Sequence, residues 1–277
     1  MPCADCYRGH DHPGPIHGLE TRLHGHGVYV TEPQSKHAAQ KGLIVVLSDA
    51  FGWNTANLRR LADSYAERTS SKVYVPDFMY GTAAPASTKA LVDRILSEGG
   101  LWGWLVKPLL VLKAAYVLVP FSIRNNPKKR YPGIRKFMDD LRCSEGADLK
   151  VGVVGFCWGG YGATQLAHGD LARNGKPLID AAYTAHPSEL KLPDDIEKIT
   201  IPYSMVIGDI DFALTISGVQ QAADILDSKK DVESEVVIIS NARHGFAVRG
   251  RPDDKIEKEM ADQAEDQMVK WFAKYLV

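Results

Sequence analysis

The sequence predicts an α/β fold in which a mostly parallel, doubly wound sheet is flanked by helices. Short apolar runs such as residues 42–47 are typical of strands that helices cover on both faces. These runs alternate with segments of helical periodicity such as residues 57–68, which is the pattern of parallel sheets. A third run, residues 151–155, ends at a glycine and leads through Cys157 into a helix-compatible segment, which indicates a tight strand–turn–helix unit.

The other predicted elements continue this alternation to the end of the chain. The further strands are predicted at residues 26–31, 72–75, 180–185, 201–207 and 233–239, with further helices at 133–142 and 255–275. Because the carboxyl ends of parallel strands meet at one edge of a sheet, the polar residues that follow these strands are expected to form the functional site.

Residues 101–123 are the most apolar segment and are long enough to suggest a membrane-spanning helix. Lys107, Pro108, Lys113 and Pro120 argue against a span, since each charge near a bilayer centre costs about 2.5–3.5 kcal/mol on insertion scales. We expect instead a helical apolar insertion whose apolar face covers the core or the mouth of the active site. Contact with a membrane surface is an alternative that the sequence leaves open.

The bulk properties are those of an ordinary globular chain of 277 residues with a formal net charge of −1. This balance gives no overall electrostatic reason to expect a nucleic-acid partner or an anionic membrane. The polar start of the chain and its four cysteines favour a reducing, cytoplasmic location. We expect one domain over residues 18–277, as a monomer or homodimer without stable membrane insertion.

The first 17 residues contain a Cys-x-x-Cys pair followed by histidines, namely Cys3, Cys6, His10, His12 and His17. This pattern suggests a zinc knuckle, but the second ligand pair lacks the usual spacing. We therefore expect residues 1–17 to form a loosely ordered arm and expect no metal site.

Cys157 lies where a strand–turn–helix unit places its nucleophile, in the stretch Gly155-Phe156-Cys157-Trp158-Gly159. The glycines on both sides remove Cβ atoms that would collide in such a turn. The N-terminus of the following helix directs free N–H groups towards the thiol, which favours a thiolate and a developing oxyanion. The alternative is a buried cysteine that serves only as a small apolar residue.

Asp211 and His244 each follow a later predicted strand, so both are expected at the same edge of the sheet as Cys157. In this hypothesis His244 accepts the thiol proton and later passes it to the leaving oxygen. Asp211 orients the imidazole and stabilises its cationic form, although Asp209 competes for this role.

Two backbone N–H groups are the expected donors to the oxyanion, those of Trp158 and Ala50. Trp158 directly follows the nucleophile, and Ala50 lies in the loop after the strand 42–47. His186 follows the strand 180–185, where we expect it to make a structural hydrogen bond.

The sequence resembles the dienelactone hydrolase family from about residue 17 to its end. The resemblance rests on Gly155-Phe156-Cys157-Trp158-Gly159-Gly160, Gly208-Asp209-Ile210-Asp211, His244-Gly245-Phe246 and the early loop Ser48-Asp49-Ala50-Phe51-Gly52. It implies an α/β-hydrolase fold, in which nucleophile, acid and histidine occur in this order. It also implies hydrolysis of a small-molecule ester or lactone through an acyl-cysteine intermediate, without a metal or an organic cofactor.

The resemblance assigns further roles within the site. Asp49 stands where the family carries a glutamate that helps to deprotonate the nucleophile, and its side chain is one methylene shorter. The residues expected to contact substrate are Phe51, Trp158, Phe246 and Arg249.

Two departures from the family bear on the substrate. The family's arginine for a substrate carboxylate falls at Val248, with Arg249 one residue later. Together with the long apolar insertion, this departure predicts a different and more hydrophobic acyl substrate. The alternative function is a non-catalytic small-ligand-binding or regulatory module on the same fold.

Overall fold

A computed structural model describes residues 14–34, 41–85, 87–88, 91, 94–95, 100–251 and 253–276. Most of the predicted N-terminal arm, including Cys3, Cys6, His10 and His12, lies outside these residues. The zinc-knuckle hypothesis therefore stays a prediction.

Eight strands form one sheet in the order β1-β2-β4-β3-β5-β6-β7-β8. The strands are β1 Leu19–Leu23, β2 His26–Thr31, β3 Gly42–Leu47, β4 Lys72–Pro76, β5 Lys150–Phe156, β6 Ala181–Ala185, β7 Tyr203–Ile210 and β8 Ser234–Arg243. Strand β2 pairs antiparallel with both β1 and β4, and every other pairing is parallel. The predicted fold class, a mostly parallel sheet flanked by helices, is confirmed.

The named helices flank this sheet on both faces. They are α1 Ala56–Thr69, α2 Gly100–Arg124, α3 Pro127–Arg142, α4 Trp158–Leu166, α5 Asp194–Glu197, α6 Ile216–Ser228, α7 Phe246–Arg249 and α8 Lys255–Tyr275. Strand β3 shows how both faces are filled, because Leu43, Val45 and Leu47 enter one core layer while Ile44 and Val46 enter the other. The first layer contains residues of α3, α4 and α6, and the second contains residues of α1 and α8.

Several boundaries differ from the sequence prediction for identifiable reasons. Helix α3 begins at Pro127 rather than at residue 133, because the Asn126 side chain caps it and proline suits its first turn. Strand β8 continues to Arg243, since an irregular pairing near Gly208 carries the ladder past the predicted end at residue 239. Strand β1 was not predicted, because this edge strand is largely exposed and lacks an apolar face.

Helix α2 is the predicted apolar insertion, but it has two apolar sides. Leu110, Ala114 and Phe121 are buried, as expected for a helix that covers the core. The opposite side is also apolar and is exposed. By length and composition alone, Val106–Arg124 could cross a membrane, although only 17% of its most apolar window is buried in the protein.

Candidate active site

Cys157 lies in the tight turn between β5 and α4, with φ 49° and ψ −110°. This conformation is rare for a residue with a side chain, and it marks the turn as strained. Close backbone approaches explain the neighbouring glycines. A Cβ on Gly155 would lie 2.6 Å from the carbonyl oxygen of Gly159, and one on Gly160 would lie 2.5 Å from Cβ of Pro187. The sequence thus forms a turn that lifts the thiol to the carboxyl edge of the sheet.

Asp211 follows β7 and His244 follows β8, and the structure brings their side chains together. The Nδ1 atom of His244 lies 2.9 and 2.8 Å from the two carboxylate oxygens of Asp211, and both side chains are fully buried. Asp211 also accepts a hydrogen bond from the Ala213 N–H. Asp209, the competing acid, is exposed and accepts a hydrogen bond from the Asn241 N–H instead.

The other side of the His244 ring interacts with Cys157. Nε2 of His244 is buried and has no oxygen or nitrogen partner among the described residues. Burial alone would lower the pKa of His244. The negative charge of Cys157 and hydrogen bonds to Asp211 and Cys157 outweigh burial and raise the pKa to about 10. The arrangement therefore favours the protonated, cationic form of the His244 ring at neutral pH.

This pairing predicts how activity depends on pH. The raised pKa stabilises the protonated ring, so activity should persist at neutral pH and fall as the pH rises through about 10. Asp211→Asn removes one source of the raised pKa, so the alkaline limb of the kcat/KM profile should move to lower pH. The maximum should also fall by about 100-fold or more.

The matched control for this prediction is Asp209→Asn, which removes an exposed carboxylate two residues away. It should leave the alkaline limb in place. Equal shifts in the two variants would contradict the assignment of Asp211 as the partner of His244.

Asp49 is held by neighbouring groups in this structure, and its role as the acid that helps to deprotonate the nucleophile stays a prediction. Its buried carboxylate pairs with the guanidinium of Arg249 and accepts a hydrogen bond from the Phe51 N–H at 2.9 Å. The guanidinium also lies over the Phe51 ring, 5.1 Å from its centroid. In this structure the shorter aspartate therefore forms an ion pair with Arg249.

A pocket of about 420 Å³ opens onto Cys157. Its apolar lining includes Phe121 of α2, Leu190 and Phe212. Its polar lining comes from Ser122, Asn125, Asn126, Ser188 and Glu189. Apart from Cys157, Glu189 is the one ionisable residue among the described residues of this lining.

The four predicted substrate contacts lie in different surroundings, and their role in binding substrate stays a prediction. Trp158 lines the pocket, whereas Phe51, Phe246 and Arg249 do not. These three are buried, and Arg249 is held by Asp49. Phe51 packs in one core layer and Phe246 packs in the other.

The two expected oxyanion donors lie at this pocket, because both Ala50 and Trp158 line it. Trp158 is the first residue of α4, so its N–H has no acceptor within the helix. The next N–H, that of Gly159, already donates to the carbonyl oxygen of Ser48 at 3.1 Å. The Trp158 indole donates to the carbonyl oxygen of Asn125 at 2.5 Å, which ties the end of α2 to the turn.

Sequence reasoning missed residues that reach the site from loops. The hydroxyl of Ser188 lies 3.9 Å from the sulfur of Cys157, and the ring of Phe212 lies 4.6 Å from that of His244. Ser188 follows a predicted strand, as the other site residues do, and this position is the one sequence feature that could have indicated its place in the site. For Phe212, the one such feature is its position next to Asp211.

His186 differs from its predicted role, because neither of its ring nitrogens has a hydrogen-bond partner among the described residues. Its ring packs at 4.9 Å, edge to face, against that of His244. Burial, the charge of His244 and that of Arg249 hold the pKa of His186 well below its usual value, so its ring stays neutral. His186 is therefore a neutral packing partner for the charged ring of His244.

Histidine, cysteine and carboxylate side chains do not form a group of three or more that could hold a metal ion within the described residues. The prediction of no metal therefore stays open for the arm, where the zinc hypothesis lies.

The known proteins to which this chain is similar include several that are named as hydrolases. A sequence model of the dienelactone hydrolase family matches residues 126–276, which include Cys157, Asp211 and His244. Hydrolase pyvD of Aspergillus violaceofuscus is 26% identical over 99% of this chain and 97% of its own length. The human carboxymethylenebutenolidase homolog is 25% identical over 99% of this chain and 98% of its own length.

Among solved structures, the chain is similar to a dienelactone hydrolase from Anabaena variabilis. The TM-score is 0.60 at 13% sequence identity, and the match covers 95% of this chain and 99% of the other. At this identity the similarity supports the fold.

Proposed function

Because this chain belongs to the dienelactone hydrolase family and is therefore a carboxylic ester hydrolase, we propose that it cleaves ester or lactone bonds through Cys157, His244 and Asp211. The observation that carries this proposal is the buried His244 ring, bonded to Asp211 on one side and interacting with Cys157 on the other. Such an arrangement supplies a thiolate nucleophile and a proton donor in one place.

In the first half of the reaction, the Cys157 thiolate attacks the carbonyl carbon of the substrate. The carbonyl oxygen becomes an oxyanion, which the N–H groups of Ala50 and Trp158 stabilise. As the carbon–oxygen bond to the leaving group breaks, Nε2 of His244 donates its proton to the departing oxygen. The product of this half is an acyl-cysteine and an alcohol, and in a lactone the alcohol remains tethered to the acyl group.

In the second half, water attacks the acyl-cysteine while the neutral ring of His244 accepts a proton from it. Collapse of the tetrahedral intermediate breaks the carbon–sulfur bond and releases the carboxylic acid. The thiolate and the imidazolium are restored together. Asp211 stabilises the imidazolium in both resting and reacting enzyme and holds the ring in one tautomer.

We further propose that the acyl group is uncharged and largely apolar. The described lining of the pocket contains no Lys or Arg, its single carboxylate is Glu189, and Phe121, Leu190 and Phe212 supply apolar walls. Arg249, the nearest match to the family's carboxylate-binding arginine, is buried against Asp49. A substrate carboxylate in this pocket would lose water without gaining a cation.

A matched pair of esters tests this specificity. Para-nitrophenyl butyrate and para-nitrophenyl hemisuccinate share a leaving group and a four-carbon acyl chain, but only the second ends in a carboxylate. We expect kcat/KM to be at least about tenfold higher for the butyrate ester, because like charges at close range are unfavourable. A faster hemisuccinate reaction would overturn the proposed substrate class. If neither ester is hydrolysed, and a neutral lactone such as dihydrocoumarin is not hydrolysed either, the result would favour a binding module.

A further inference from the structure

The outward side of helix α2 is an apolar surface that the residues described by the structure leave exposed. Five large side chains lie along it at alternating steps of three and four residues, and each is more than half exposed: Leu109, Leu112, Tyr116, Val119 and Ile123. We call these five residues the α2 stripe. At 3.6 residues per turn they form one line, opposite the buried Leu110, Ala114 and Phe121.

The chain segment that carries the α2 stripe is strongly cationic. Residues 99–138 contain no Asp or Glu, and they contain eight basic residues: Lys107, Lys113, Arg124, Lys128, Lys129, Arg130, Arg135 and Lys136. The whole chain has 34 acidic and 33 basic residues, so its net charge of −1 conceals this local excess. The near-zero net charge of the whole chain therefore says nothing about this local charge asymmetry.

Most of these cations are available to a partner. Lys107, Lys113, Arg124, Lys128 and Lys129 have no ion-pair partner in the part of the chain that the structure describes. Lys113 and Arg124 are exposed and lie along one edge of the α2 stripe, given the pitch of the helix. Lys128 and Lys129 follow in the exposed first turn of α3.

We infer that the α2 stripe and its cations form a docking surface for an anionic lipid bilayer, with α2 lying in the plane of the interface. Apolar side chains on one line enter the boundary of the acyl chains, while flanking lysines and arginines contact anionic headgroups. Tyr116, the most exposed of the five, has the amphipathic ring that is enriched at such interfaces.

The positive charge of this segment favours an anionic bilayer over a second copy of the chain as the occupant of the surface. In a symmetric dimer the same patch meets itself, so α2 of one copy would face α2 of the other. The cations of residues 99–138 would then meet with no acidic residue from that segment to pair with them. An anionic bilayer instead supplies the missing counter-charges.

Docking would also bring lipid close to the substrate pocket. Phe121 and Ser122 of α2 line that pocket, and Trp158 bonds to the backbone just beyond the helix. The docking surface consists of α2 residues and the lysines in the first turn of α3, so vesicle binding can be measured independently of hydrolysis.

The test is co-sedimentation of the full chain with vesicles of phosphatidylcholine, with or without phosphatidylglycerol. We expect at least about tenfold tighter binding to the anionic vesicles, weakened by added salt. Leu112→Ser/Tyr116→Ser should reduce this binding about tenfold or more, and so should Lys113→Gln/Lys128→Gln/Lys129→Gln. Ile256→Ser is the matched control, because it removes an equally exposed apolar side chain from α8 on the other face of the sheet. It should bind as the wild type does, and circular dichroism should show that all variants are folded.

Three results would overturn the inference. The first is equal binding to neutral and anionic vesicles, or no binding to either. The second is unchanged binding by the Leu112→Ser/Tyr116→Ser variant. The third is a wild-type dimer in light scattering that this variant converts to a monomer while vesicle binding is absent, which would identify a second copy as the occupant.

Discussion

Replacing Cys157 by alanine is expected to lower kcat/KM for para-nitrophenyl butyrate on the order of 10⁴-fold. The thiolate is the group that forms the covalent bond to substrate, and no other side chain in the described lining of the pocket is paired with His244. Some activity above the uncatalysed rate should remain, because the oxyanion donors and the pocket are unchanged.

The control for this variant is Cys143→Ala, which removes the other cysteine of the described residues, a half-buried thiol at the end of α3. It should retain activity within about twofold, since surface and boundary substitutions rarely have larger effects. Near wild-type activity in a folded Cys157→Ala protein would contradict the assignment of Cys157 as the nucleophile.

Arg249→Met should lower the free energy of unfolding by about 3–5 kcal/mol. The guanidinium and the carboxylate of Asp49 are each 3% exposed, so the change leaves a charge in the core without its partner. Urea denaturation would measure the loss. The effect should appear in stability whether or not activity also changes.

Two comparisons separate this ion pair from ordinary packing. The double variant Asp49→Asn/Arg249→Met removes both charges and should recover a substantial part of the loss. Arg135→Met breaks the pair with Asp170, whose side chains are 44% and 48% exposed, and should cost less than about 1 kcal/mol. Equal losses for Arg249→Met and Arg135→Met would contradict the account of the buried pair.

The sheet and the placement of the candidate triad could be predicted because both depend on local patterns. Buried parallel strands are continuous apolar runs, and Cys157, Asp211 and His244 each come directly after one of them. The topology then brings residues that are distant in the chain to one edge. Similarly, Gly155 and Gly159 indicated a tight turn because only a missing Cβ permits the backbone approaches found there.

The pairing of Asp49 with Arg249 could not be read from the sequence, because it depends on side-chain direction across 200 positions. Arg249 lies one residue after the position of the family's carboxylate-binding arginine, and this position suggested a contact with substrate. In the fold, α7 turns this side chain towards Asp49 and away from the pocket. The same limit applies to His186, whose ring nitrogens remain unpaired while its ring packs against His244.

The exposure of the outer side of α2 also could not be predicted from the sequence. The segment predicted a helix whose apolar face covers the core or the mouth of the active site, with contact to a membrane surface as the alternative. Only the packing shows that one side is buried and the other is left to solvent. The local charge excess was visible in the sequence, but the net charge of the whole chain obscured it.

The central claim is that Cys157 carries the acyl group, and mass spectrometry of the enzyme quenched in acid during turnover of para-nitrophenyl butyrate tests it most directly. The mechanism predicts one butyryl group on the peptide that contains Cys157, formed with a burst of para-nitrophenol and absent from Cys157→Ala. Hydroxylamine should release it as an acyl-cysteine thioester. A butyryl group on another residue that forms and decays at the rate of turnover would contradict the account.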